Sequence, residues 1–107
     1  MHSLDAAITI CDKKGIIVYM NRKSVETFAK DGGKKLIGTN LMDCHGEEAA
    51  KKLKEMLASR KENIYSIEKN GVKKLIVQKP VFEHGNFDGI MEMSIVLPND
   101  MPHFLRG

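Results

Sequence analysis

Apolar positions along this chain change period twice. Near the N-terminus they fall in two short runs, 6–10 and 16–20, split by Cys-Asp-Lys-Lys-Gly. Ile8 and Ile10 alternate with Thr9 and Cys11, the period of two of a strand with one buried face. Residues 16–20, Ile-Ile-Val-Tyr-Met, form a denser β-branched run, as in a strand covered on both faces. Asp12 and Gly15 hold the first and fourth positions of a type I turn, where Asp and Gly are preferred. The pattern predicts a hairpin with strands near 6–11 and 16–20. Asn21 is a good helix N-cap, and Val25, Phe28 and Ala29 follow at i, i+3, i+4 spacing. A short helix through about Lys30 is expected, stopped by Asp31-Gly32-Gly33.

Leu36, Ile37, Gly38, Leu41 and Met42 predict one or two further helical turns. From 46 to 59 the period is helical, with Ala49, Ala50, Leu53, Met56 and Leu57 on one side and Glu47, Lys51, Lys54 and Glu55 mostly on the other. The last third reads as strands near 62–69, 72–82 and 88–97. Asn70-Gly71 marks a tight hairpin turn, and Pro80 must sit at an edge, bulge or strand end. His84 to Gly89 reads as a loop, and Met91, Met93, Ile95 and Leu97 read as the core-facing side of the last strand. Segregated runs of strands and helices imply an α+β fold with an antiparallel sheet and helices on one face.

Composition narrows the function classes. The 107 residues suit one domain, and 42% hydrophobic with 29% charged residues argues against disorder. A net charge of +3 comes from lysines interleaved with acids, so no nucleic-acid footprint is expected. Cys11 and Cys44 have no CxxC partner, which points to a reducing, cytoplasmic setting. No run reaches the ~20 apolar residues of a membrane span, so no membrane association is expected. No nucleophile–base pair, diagnostic carboxylate pair or phosphate-binding loop stands out, and the expectation is a non-enzyme.

Four phrases in order, ITICDKKGIIVYMN, LIGTNLMDCHGEE, NGVKKLIVQKPVF and GNFDGIMEMSIVL, resemble a PAS domain across roughly residues 4–97. The expected organisation is one PAS-like domain over 1–97, then a tail or linker over 98–107. The resemblance implies a five-stranded antiparallel sheet in the order 2-1-5-4-3, with helices closing over one face. It implies a sensory module of signal transduction that binds a small ligand, dimerises, or relays strain to an attached kinase, cyclase or transcription regulator. A homodimer is expected. Light-sensing flavin members carry a Cys inside an NCRFLQ-type phrase, which this chain lacks, so flavin is disfavoured. Haem-binding members hold iron through a His inside the long helix, near Ala50 here, whereas His45 precedes that helix. Haem sensing and a ligand-free interaction module stay open beside the small-molecule sensor.

The expected lining for a small apolar or amphipathic ligand is Phe28, Leu36, Ile37, Leu41, Met42, Leu53, Met56, Ile64, Ile76, Met91 and Met93. The methionines would keep such a cavity deformable, or would simply fill the core. Gln78 and Glu92 lie inside strands and point either to solvent or into a pocket, where they would orient a ligand. Cys44 and His45 form the one suggestive pair, either packed structurally, touching ligand, or ligating haem or a metal. Adjacent residues rarely share an ion, and no second pair completes a metal site.

Overall fold

Asp12 builds the first turn as its position predicts. Its carbonyl accepts from the Gly15 N–H at 3.0 Å, and its Oδ1 accepts from the N–H groups of Lys14 and Ile16 at 2.9 and 3.0 Å. The computed structural model describes residues 6–41 and 47–107, with side chains from 50 onward in the second stretch. Strand β1 is Ala7–Asp12 and β2 is Ile17–Met20. Asn21 then caps α1, Arg22–Thr27, its side chain accepting from the Ser24 N–H. The helix is shorter than expected, because the chain tightens into 3-10 turns at Ala29–Asp31 and Gly33–Leu36.

Helix α2, Glu47–Ser59, buries Leu53 and Met56 on one face, as the period predicts. Strand β3 is Asn63–Lys69, β4 is Val72–Glu83 and β5 is Asn86–Leu97. Asn70 and Gly71 both take positive φ, 53° and 78°, the geometry that a two-residue type I′ hairpin needs. His84 and Gly85 do the same at 52° and 81°, so β5 starts at Asn86, earlier than the expected loop allowed. Pro80 lies past the last β3–β4 pair, Asn63 with Gln78, and beside the irregularity at Val81/Phe82. There β4 has no β3 neighbour to leave without a donor.

The sheet order is β2-β1-β5-β4-β3, with every neighbouring pair antiparallel. The outer edge of β2 is covered by the residues before Met42. Thr39 carbonyl accepts from the Ile17 N–H at 2.9 Å, and Leu41 N–H donates to the Gly15 carbonyl at 2.7 Å. At the centre, Gly89 of β5 lies against the backbone of Cys11 in β1, and a Cβ there would collide with the Cys11 carbonyl oxygen.

The facing of the central strands reverses the sequence expectation. Cys11 pairs with Ile90, and both join the buried cluster with Ile17, Met20, Leu36, Leu41, Leu53 and Met56. Directly opposed residues share a face and side chains alternate. Ala7, Thr9 and Cys11 therefore face the helices with Ile90, Glu92, Ser94 and Val96. Met91, Met93, Ile95 and Leu97 face away, with Ile8, Ile10, Leu75 and Val77. The expectation took the greasier alternate set as core. In this sheet that set lies on the side opposite the helices, and the helix-facing set carries polar residues instead.

Candidate functional site

A cleft of about 440 Å³ opens between the helix-facing side of the sheet and the end of α1. Small-molecule sites span roughly 300–1,000 Å³, so this one has room for a ligand of modest size. Ala7, Thr9, Ile76, Glu92 and Ser94 form its floor, and Tyr65 and Ile67 of β3 form one wall. Thr27 and Phe28 stand opposite, while Lys30, Asp31, Lys69 and Lys74 rim it. Tyr65 is braced from outside by Lys52 of α2, whose Nζ lies 5.3 Å from the ring centroid.

Across the floor runs a row of polar side chains from four adjacent strands, Asn63, Gln78, Glu92 and Thr9. Asn63 Nδ2 donates to Gln78 Oε1 at 3.2 Å, and Gln78 Nε2 donates to Glu92 Oε2 at 2.9 Å. Thr9 Oγ1 turns to Ser24 Oγ of α1 in a short hydrogen bond. Gln78 is buried, so both ends of its amide must be met, and they are. The second oxygen of Glu92 takes no hydrogen bond among the described residues. Burial raises the Tyr65 phenol above its ordinary pKa, and the Glu92 charge raises it further. The Cys11 thiol is raised chiefly by burial, with smaller contributions from Asp12 and Glu92. The Glu92 carboxylate is thus felt along much of this face.

The expected lining residues divide between places. Phe28 and Ile76 line the cleft, and Gln78 stands behind Glu92. Leu36, Leu41, Leu53 and Met56 are packed into the closed core beside it. The space there, among Ile17, Met20, Leu36 and Leu41, is too small to admit a water. Ile37 is 41% exposed on the surface, away from the cleft. Ile64, 54% exposed, faces outward opposite Val77. Met91 and Met93 likewise leave the expected lining, since they sit on the outer face of β5. Met42, Cys44 and His45 lie outside the described residues.

Thr9, Tyr65, Ser94 and the rim lysines were not singled out from the sequence. The available signal was the set of polar residues at alternate positions of otherwise apolar strands. As for haem, Ala50 offers no ligating atom, and His84 and His103 are exposed in a hairpin turn and the tail. Among the described residues no group of three or more His, Cys, Asp or Glu side chains is placed to hold a metal ion.

No protein-family model matches the sequence, and no curated protein matches it. Solved structures do. The PAS domain of histidine kinase ThkA superposes with a TM-score of 0.69 at 18% identity, covering 84% of this chain and 97% of that one. The PAS domain of Bordetella pertussis BvgS gives 0.66 at 17% identity, covering 91% and 80%. The Aer2 receptor of Vibrio cholerae, a dual PAS-heme oxygen sensor, gives 0.64 at 15% identity, covering 87% and 95%. The fold is that of a PAS domain, with the strand order that the resemblance implied. Among the described residues, no helix is long and apolar enough to cross a membrane.

Proposed function

We propose that this chain is a cytoplasmic sensory module of signal transduction that binds a small amphipathic molecule in the cleft between Phe28 and β3. The observation that carries this reading is the free oxygen of Glu92, set in an open space with apolar walls. A filled structural core has no reason to keep an unmet carboxylate oxygen beside a cleft. A ligand there touches both sheet and helical segment, so it shifts a two-state equilibrium to the extent that it prefers one arrangement. That shift would pass to an attached output domain such as a kinase, cyclase or transcription regulator. Native mass spectrometry of the purified domain tests the reading. A recurrent co-purifying small molecule is expected, and its repeated absence would leave only the ligand-free interaction module.

The module works as a homodimer in this reading. Ile8, Ile10, Leu75, Val77, Met91, Met93 and Ile95 make a continuous apolar outer face on three central strands. Ile8 is already buried within the single chain and the other six are half-buried, so only the remaining accessible part of this face calls for a cover. Met101, Phe104 and Leu105 of the tail are 57%, 71% and 95% exposed, so these side chains do not supply one. A second copy presenting the same face would.

A further inference from the structure

Resting on the reading of the cleft as a ligand site, we propose that its ligand is an arylalkanoate: a flat ring bearing an N–H or O–H donor, joined to a short chain ending in an acid. The floor selects the donor. Gln78 spends its N–H on Glu92 and its oxygen on Asn63, and Thr9 is engaged with Ser24. Among the described residues the floor then has two polar groups left to offer, the Ser94 hydroxyl, which can donate or accept, and the second oxygen of Glu92, which carries the charge and only accepts. A wholly apolar ligand would strip water from this carboxylate and return nothing, which is costly. A donor on the ligand replaces that water with a charge-assisted hydrogen bond.

The rim selects the acid. Lys30, Lys69 and Lys74 face a single Asp31 there, three cations to one anion. The walls select the ring, since Phe28 and Tyr65 flank the space and Ile76 and Ile67 supply flat apolar surface. Strand geometry sets the length. Gln78 pairs with Glu92, and Lys74 lies four residues along β4 opposite Val96. Four residues of strand span roughly 13 Å at ~3.3 Å each. The lysine stem covers part of that distance, and one fused ring with a three-carbon acid covers the rest.

Four isosteric probes test this in calorimetric titrations of the intact chain. They are indole-3-propanoate, benzothiophene-3-propanoate without the donor, 3-propylindole without the acid, and 3-propylbenzothiophene with neither. Indole-3-propanoate should bind about ten- to a hundredfold tighter than its benzothiophene counterpart. Glu92→Gln should shrink that gap to a few-fold, weakening indole-3-propanoate and somewhat tightening the benzothiophene acid, which no longer strips water from a carboxylate. Lys74→Met should weaken the two acids and spare 3-propylindole. Equal binding of the two acids by the unaltered protein overturns the donor, and equal binding of 3-propylindole and indole-3-propanoate overturns the anion. If no probe binds, the ligand class is wrong. A co-purifying molecule of another class would then leave the sensor reading standing, whereas its absence would remove that as well.

Discussion

The Asn21 side chain ties the start of β1 to the start of α1: its Oδ1 accepts from the Ile8 N–H at 2.9 Å. The same oxygen accepts from the Ser24 N–H, and Nδ2 donates to the Ala6 carbonyl at 2.8 Å. The side chain is fully buried, so these hydrogen bonds have no competition from water. One residue therefore acts as helix cap and as the clamp that sets α1 against the sheet beside the cleft.

Asn21→Ala should cost about 2–5 kcal/mol, because it removes a cap and strands the buried Ile8 N–H. Urea unfolding checks this. A loss below about 1 kcal/mol would mean that water reaches these groups.

Gln78→Leu should cost about 1–3 kcal/mol by leaving Glu92 and Asn63 without their partner. Adding Glu92→Leu should recover part of that loss, since removing both members of a buried polar pair is often near neutral. A double-mutant cycle by chemical denaturation reads the coupling. Additive losses would show that the pair is not coupled.

Gly89→Ala should destabilise by about 2 kcal/mol or more, because its Cβ meets the Cys11 carbonyl and φ is 153°. The neighbour is backbone in a central strand pair and cannot rotate aside. Thermal unfolding gives the measurement, and an unchanged midpoint would mean that β1 and β5 separate readily at this point.

Stability should fall in alkali. Burial raises the Cys11 thiol and the Tyr65 phenol in the folded state above their ordinary values of 9.0 and 10.0. A raised acid disfavours folding once the unfolded chain can deprotonate. Its contribution is therefore intact below about pH 9 and is lost as pH rises through the folded value. Denaturation midpoints across pH 7 to 11 should show the decline, and Cys11→Ala should move its onset toward 10. The same onset in this variant would acquit Cys11.

Met93→Glu should dissociate the homodimer and leave the fold intact, since Met93 sits at the centre of the outer face between Ile8 and Val77. Sedimentation over a range of concentrations is decisive. A 12 kDa species for the unaltered chain at high concentration would mean that the face is covered from within.

Much of the fold was legible in local chemistry. Asp12 with Gly15, Asn21 before α1 and Asn70-Gly71 each set backbone geometry through bonds or φ preferences within a few residues. The α2 pattern likewise needed only its own period to show which side Leu53 and Met56 would bury. The candidate site was less legible. Phe28 and Ile76 fall on the cleft and Gln78 behind its floor, whereas Met91, Met93 and Ile64 lie on the other side of the sheet.

The sequence alone determined which segments become strands and helices, and that β5 has two faces of different character. Only the tertiary structure decided which face meets the helices. A period of two separates side chains into sets without ranking them, and the choice is made by cross-strand partners far along the chain. Gln78 and Glu92 lie 14 positions apart and meet only through the β4–β5 register. Once they meet, a polar row becomes affordable on the inner face, and the greasier set is left to the outside.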